Sequence, residues 1–304
     1  MKYQLGEVLK KVRQSKRYTQ KYIAGDQMSR ATYAKIEACD MQPTVGKFMH
    51  ILKKLDLSYE ELTYIQNSYS LNGKDEIVHD FFKLTTSAEI EKVYAVNSKC
   101  TQYLKCHSDS VVQDIHYVCE AMTALHFEKT FDHAFPYANK VWERLSKLDN
   151  WYSIELKLIN NIFFYFPLET SISIAERALK EIDRFSYIIK SNELKSSYLL
   201  NLTILLFKNN KYEEAYEYAN KAIEECIKIK RFEGLSVAYT RKGLLLMKLG
   251  KPDEGTKLIH KGLSICKVLD LDSMGKAIIQ EVHELVAIDL PLDQILNKDD
   301  GFSH

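Results

Sequence analysis

Residues 132–266 repeat themselves. Asp132–Leu145 (DHAFPYANKVWERL) aligns with Glu213–Cys226 (EEAYEYANKAIEEC) at an offset of 81, sharing Tyr-Ala-Asn-Lys. Leu205–Ala215 (LLFKNNKYEEA) aligns with Leu245–Gly255 (LLMKLGKPDEG) at an offset of 40, and Cys226 and Cys266 fall on the same spacing. Ser173–Ile182 (SIAERALKEI) supplies the intervening unit, with Ala178 where Ala138 and Ala219 stand in theirs. A unit of 40 or 41 residues holds two amphipathic helices but cannot bury their apolar faces alone. Stacked neighbours bury them for one another, so four such units predict an α-solenoid. Small residues such as Ala138, Ala178, Ala215 and Ala219 mark where helices approach closely. A degenerate leading unit is expected around residues 74–107. A closing pair should follow Asp270, with Ala277, Ile278, Val282 and Leu285 on its buried stripe. The tail from Asn297 to His304 reads as disordered.

The repeats resemble tetratricopeptide (TPR) units with lengthened helices. Few prolines (5) and glycines (11) in 304 residues agree with an all-α chain, and the length exceeds one average domain. The net charge of +1 conceals an asymmetry: residues 1–66 carry 12 Lys/Arg against 7 Asp/Glu, or +5, and the remainder carries −4. A basic head on a mildly acidic body suits a phosphate-binding module joined to a different kind of domain. No apolar run reaches membrane-spanning length, and the opening MKYQLGEVLKK lacks a signal-peptide core, so a cytoplasmic protein without a membrane partner is expected. The six cysteines (Cys39, Cys100, Cys106, Cys119, Cys226, Cys266) show no CxxC spacing and no accompanying His cluster, which argues against zinc. They read as small, mostly buried thiols.

Within the head, Leu5–Lys16 is an amphipathic helix presenting Leu5, Val8, Leu9 and Val12 on one side. Thr19–Glu37 (TQKYIAGDQMSRATYAKIE) reads as a short helix, a turn at Gly25 and a second helix capped by Ser29. Ile23, Tyr33 and Ile36 face a common core, leaving Arg30, Ala31, Thr32, Ala34 and Lys35 outward. A helix with small and hydrogen-bonding groups on its free face suits base reading in a DNA major groove; an ordinary surface helix is the alternative. Val45–Leu55 and a helix opened by the capping box Ser58–Glu61 complete five short helices. The organisation expected is a DNA-binding domain at 1–66, a linker at 67–75, the repeat domain at 76–298 and a tail at 299–304.

This stretch resembles the phage-repressor type of helix-turn-helix, with Arg13 seven residues before Gln20 and Ile36-Glu37 closing the third helix. The resemblance implies a structural ion pair between Arg13 and Glu37, and a phosphate contact for Gln20. The run from Ile23 through MSRATYAKIE to KKLDLSYEEL is more specific and is similar to the Rgg/GadR/MutR regulators of Gram-positive bacteria. Those regulators often carry a cysteine early in the fourth helix, where this chain has Thr44 and Val45, so redox behaviour is not carried over. Expected DNA contacts are Arg30, Ala31, Thr32, Ala34 and Lys35 at the bases, Gln20, Lys21 and Lys47 at phosphates, and Ser29 at the helix start.

The repeat register also places polar residues within apolar runs. Fourteen residues before Ala134, Ile174, Ala215 and Gly255 stand Glu120, Asn160, Asn201 and Arg241. A mid-helix Asn facing a groove offers a donor and an acceptor to an extended peptide backbone. One turn earlier stand Tyr117, Lys157, Tyr198 and Ala238; of these Tyr117, Lys157 and Tyr198 are further candidates. The alternative is that Asn160 and Asn201 bond within the repeats and complete a packing layer. A helix-turn-helix head on such a solenoid resembles the peptide-pheromone receptors that include Rgg, PlcR, PrgX, NprR and Rap. That resemblance implies a homodimeric transcription regulator in quorum sensing. It would bind a near-palindromic site on double-stranded DNA, and a short peptide would alter DNA binding or RNA polymerase contact. A protein-interaction scaffold, or a DNA-binding regulator without a peptide ligand, are the rival readings. No enzyme, cofactor or metal is expected: His283-Glu284 begins a zinc-protease pattern, but Ala287 stands where its second His belongs, and no phosphate loop or nucleophile elbow is present.

Overall fold

The protein was analysed as a computed structural model, which describes residues 3–71, 73–84, 90–128, 130–185 and 189–286, with the side chains of 189–192 excepted. The expected tail at 299–304, and the end of the closing pair, lie outside these residues. All regular elements among the described residues are helical. The chain divides into two compact units, residues 1–83 and 84–304.

In the first unit, α1 (Leu5–Ser15), α2 (Gln20–Ala24), α3 (Arg30–Glu37), α4 (Val45–Leu55) and α5 (Tyr59–Gln66) enclose one core. Val8, Leu9, Ile23, Tyr33, Ile36, Ile51, Leu55 and Leu62 are its buried members. Each helix start is specified locally. Thr19 Oγ1 accepts from the Tyr22 amide at 3.1 Å, Ser29 Oγ from the Thr32 amide at 3.0 Å, and Ser58 with Glu61 forms a reciprocal capping box. Gly25 turns the chain between α2 and α3 at φ +56°, a conformation in which a side chain would be strained. The unit extends past residue 66: α6 (Gly73–Lys83) belongs to it and buries Ile77 and Phe81. The leading repeat expected over 74–107 therefore contributes only its later helix, α7 (Ile90–Leu104), to the second unit.

The second unit stacks α8 (Ser110–Glu128) with α9 (Phe131–Leu145), α10 (Ser153–Asn160) with α11 (Leu168–Arg184), α12 (Ile189–Lys208) with α13 (Tyr212–Lys228), α14 (Phe232–Lys248) with α15 (Pro252–Val268), and ends on α16 (Asp272–Leu285). The register residues Ala134, Ile174, Ala215 and Gly255 are all buried. Gly243 and Gly255 let α14 and α15 meet backbone to backbone, since a Cβ on either would sit 2.5 Å from the other's carbonyl oxygen. The second pair departs from the pattern. Its first helix stops at Asn160, and a 3-10 turn (Phe163–Tyr165) precedes Pro167. Proline forces the preceding Phe166 into an extended conformation (ψ 166°), which a continuing helix cannot accommodate. The first helices α8, α10, α12, α14 and α16 touch in succession and form one continuous layer.

Gly6 is the tightest point of the head, because a Cβ there would lie 2.1 Å from the Ile36 carbonyl oxygen and 2.8 Å from Cys39 Sγ. Gly6→Ala should destabilise the head by about 1–3 kcal/mol, read as a lower unfolding midpoint in circular dichroism. Gly46→Ala in α4, where an added Cβ meets nothing within 4 Å, should leave the midpoint unchanged or raise it.

Candidate functional site

Two surfaces carry the residues of interest, one in each unit. In the head, α3 is oriented by a buried carboxylate at its last residue. Glu37 is 4% exposed, and Arg13 grips it with two hydrogen bonds, Nε to Oε1 at 2.6 Å and Nη2 to Oε2 at 3.0 Å. Arg13 Nη1 also donates to the Tyr18 carbonyl at 2.7 Å, tying the loop after α1 to the same pair. Burial alone would push the Glu37 carboxyl up, but hydrogen bonds from Arg13 and Gln20, with the Arg13 charge, hold it below the ordinary carboxylate range. Tyr33 is fully buried beside them, and burial and the Glu37 charge both raise its phenol.

With Tyr33 and Ile36 turned inward, Ser29, Arg30, Ala31 and Lys35 are exposed, while Thr32 and Ala34 are half-buried. Lys21 is exposed, and Gln20 and Lys47 are half-buried. Gln20 links the core to this face: its Nε2 donates to Glu37 Oε2 at 2.9 Å, and its Oε1 accepts from Arg30 Nε at 3.4 Å. His50 on α4 bonds the Ile23 carbonyl at 2.9 Å, holding α4 against the end of α2. The face so formed is a cationic ridge with short side chains between its charges.

In the second unit, the residues at the 40-residue register occupy the layer of first helices and bridge neighbouring repeats. Asn201 Nδ2 on α12 donates to Asn160 Oδ1 on α10 at 3.3 Å. Arg241 on α14 reaches both ways, donating to the Leu200 carbonyl on α12 at 2.8 Å and to Glu281 on α16 at 2.7 and 2.9 Å. Glu120 accepts from Asn97 on α7 at 2.6 Å, and Asn97 Oδ1 meets the His116 ring at 2.6 Å. Glu281 stands 40 residues after Arg241 and is a fifth member of the series. The 40-residue step is the sequence signal that reaches it. Burial pushes the Glu281 carboxyl up, and the charge and hydrogen bonds of Arg241, with the charge of Lys208, outweigh it and leave the carboxyl lowered.

The row one turn earlier does not line a common surface. Tyr198 is fully buried, its hydroxyl donating to the Leu156 carbonyl at 2.7 Å and its ring stacking on Phe163. It is a core residue, not a ligand contact. Lys157 points to the Leu84 carbonyl at 3.2 Å, and burial, with the nearby Arg231 charge, lowers its ammonium to about 8. Tyr117 remains half-buried under Lys140, whose Nζ lies 4.9 Å from the ring centroid. The reason is helical geometry: three residues back is a rotation of about 60° from the rung, which for Tyr198 turns the side chain onto Leu156 and Phe163. Among the described residues no group of three or more His, Cys, Asp or Glu is placed to hold a metal, and no helix is long and apolar enough to cross a membrane. Cys100, Cys119, Cys226 and Cys266 are buried, and Cys106 is exposed.

A short-helix head with an outward cationic helix, followed by stacked helix pairs, defines the class of regulators that join a helix-turn-helix domain to a TPR-like repeat domain. The family profile of the "HTH-type transcriptional regulator Rgg, C-terminal domain" matches residues 113–279, more than half of the chain. The protein belongs to the Rgg family. Among solved structures, a transcriptional regulator from Listeria monocytogenes EGD-e superposes with a TM-score of 0.77 at 21% identity, over 94% of this chain and 98% of that one. The SHP pheromone receptor Rgg2 of Streptococcus dysgalactiae gives 0.69 at 14% identity, over 93% and 100%. Bacillus thuringiensis PlcR, solved with the peptide PapR7 and DNA, gives 0.68 at 20% identity, over 90% and 98%. No curated protein sequence matches.

Removing the buried anion should show how far the head depends on it. Glu37→Gln leaves Arg13 without its counter-charge and should cost about 3–5 kcal/mol in chemical denaturation followed by circular dichroism. Because folding lowers the Glu37 pKa below 4.5, the stability it contributes is complete above the ordinary carboxylate range and is lost as pH falls through the lowered value. Between pH 7 and pH 6 the wild-type midpoint should therefore owe no change to this group.

Proposed function

We propose that this protein is a cytoplasmic, homodimeric transcription regulator that reads a near-palindromic double-stranded DNA site through α3 and responds to a short peptide held on the layer of first helices. The observation that carries the DNA reading is the division of α3: Tyr33, Ile36 and Glu37 are consumed by the core, and Arg30, Ala31 and Lys35 are left exposed on the other side. Arg30 and Lys35 supply donors for base-edge acceptors. Ala31, Thr32 and Ala34 keep the surface between them low enough for close approach, with room for a thymine methyl. Ser29, at the helix start, together with Gln20, Lys21 and Lys47 meets the backbone phosphates. Two such heads, one turn of DNA apart, match a two-fold site. The DNA-binding role belongs to residues 1–66, and the regulatory role to the repeats. Through them the peptide changes DNA affinity or contact with RNA polymerase.

The peptide reading rests on Glu120, Asn201 and Arg241, half-buried on the layer of first helices with Tyr117 beside them; Asn160 is buried and is the hydrogen-bond partner of Asn201. PlcR, which shares the fold, was solved with both a peptide and DNA. Membership of the Rgg family supports the same assignment.

Gel shifts with the DNA upstream of the gene test the first half. Arg30→Ala should reduce specific binding at least tenfold while sparing random DNA, and Lys21→Ala should weaken both alike and flatten the salt dependence by about one counterion. Equal losses on both DNAs for both variants would remove α3 as the reader. For the second half, Asn201→Ala should weaken a peptide captured by the full chain about five- to tenfold, measured by calorimetry, in keeping with one lost hydrogen-bonding side chain.

A further inference from the structure

Tyr-Ala-Asn-Lys occurs at 137–140 and again at 218–221, and in both copies the lysine stands over the tyrosine ring. Lys140 Nζ is 5.7 Å from the Tyr137 centroid, and Lys221 Nζ is 5.0 Å from that of Tyr218. The second copy forms part of a cleft. Helices α11 and α13 each pack on α12, and a cavity of about 540 Å³ opens between them. That is the size of a small-molecule site. Its floor is apolar, made by Leu199 of α12 and half-buried Leu179 of α11. Across it the Tyr218 hydroxyl donates to Glu176 at 3.3 Å. One acid on the α13 wall is poorly bonded. Glu225 is 7% exposed, yet its cationic neighbours stand off, Lys228 at 3.5 Å and Lys195 at 3.9 Å. Charge-assisted hydrogen bonds close at about 2.7–2.9 Å. Glu37 and Glu181, equally deep, have bonds that short from Arg13 and Arg184. Lys195 is committed elsewhere, to Asp183 at 2.6 Å. On the opposite wall Lys180 of α11 is exposed and makes no ion pair among the described residues.

We propose that this cleft is a site for a free amino acid with an apolar side chain. The ligand ammonium donates to Glu225, its carboxylate accepts from Lys180, and its side chain lies on Leu179 and Leu199 against the Tyr218 ring. The charge pattern selects a zwitterion. A simple anion placed here would meet Glu225 and the exposed Glu224 beside it, and a simple cation would meet Lys180, Lys195 and Lys228. A molecule carrying both charges offsets both walls. An ammonium also supplies the short bonds that a buried carboxylate needs and that Lys195 and Lys228 leave unmade. Burying an apolar side chain on the floor adds a favourable term that ammonium and acetate ions cannot supply. The occupant touches α11 and α13 together, so it joins the second helix pair to the third through their second helices. It is distinct from the polar row and does not depend on that row holding a peptide.

Equilibrium dialysis of the full chain against labelled L-leucine and L-phenylalanine tests this, with N-acetyl-leucine, leucinamide, L-aspartate and L-lysine as competitors. At least one of the two labelled amino acids should be retained. Unlabelled leucine should displace it about tenfold better than either blocked form, which is the loss of one charge-assisted hydrogen bond at either end. Aspartate and lysine, which would place a charge on the apolar floor, should compete less well than leucine. Glu225→Gln should weaken leucine and narrow the acetylation penalty alone, and Lys180→Gln should weaken it and narrow the amidation penalty alone. Thermal midpoints are recorded for both variants. If Glu225→Gln unfolds the repeats, the exposed Lys180→Gln decides, because its amidation penalty should still narrow. Retention of neither amino acid overturns the proposal, as does equal competition by free and blocked leucine. Binding whose penalties are the same in wild type and in Lys180→Gln lies at another site and overturns it too.

Discussion

A carboxylate that is 4% exposed cannot remain ionised unless nearly all its hydrogen-bonding capacity is met, and Glu37 meets it from two helices at once. Arg13 on α1 takes both oxygens, and Gln20 at the start of α2 takes a share of Oε2. Glu37 ends α3, so these three bonds determine how far α3 is rotated about its own axis. The rotation decides which residues are core and which are free: Tyr33 and Ile36 are driven in, and Arg30 and Lys35 are left out. Gln20 extends the same network to the surface through its contact with Arg30. The outward face thus inherits its geometry from a charge that never reaches solvent, and the close passage of α1 over Ile36 at Gly6 leaves little slack for it to shift.

The repeat unit solves its packing differently. Between α14 and α15 the backbones are brought together by Gly243 and Gly255, and again where Gly262 faces Thr240 and Ser236, whose Oγ donates to the Gly262 carbonyl at 2.7 Å. In the second pair the first helix stops at Asn160, and a 3-10 turn and Pro167 precede the next. The pairs are therefore not equivalent bricks. What runs unbroken through them is the layer of first helices, and its cross-links are polar: Asn160 to Asn201, Arg241 back to α12 and forward to α16. These side chains join one repeat to the next.

Much of this architecture was legible in the chain. The offsets of 40 and 81 residues gave the helix pairs, and Thr19, Ser29 and Ser58 gave helix starts, because these are local signals with short reach. The end of the head was less legible. A polar run around Asn67–Asp75 looks like a linker by composition, yet α6 belongs with the first unit and buries Ile77 and Phe81, a tertiary fact that no local pattern announces. Tyr198 lies in the core for a geometric reason. Periodicity identifies the helix face only to within a turn, and a 60° error separates a groove from a core. Glu281 was readable, since the 40-residue step from Arg241 lands on it. The bond from Gln20 to Glu37 was not, because it depends on where two helices cross.

A row that cross-links its own repeats constrains how a ligand can act through it. A peptide shifts a conformational equilibrium only by the difference in its affinity for the two states, and a ligand binding both equally would move nothing. In the present arrangement Arg241 uses three of its five N–H donors, one on α12 and two on α16. The Leu200 carbonyl and the Glu281 carboxylate fix the orientation of the guanidinium, so one side chain links α12, α14 and α16. Asn201 is in the same position with respect to α10, through a bond long enough at 3.3 Å to be exchanged at small cost. The bonds from Asn201 to Asn160, from Arg241 to Leu200 and from Arg241 to Glu281 thus tie four successive first helices to one another.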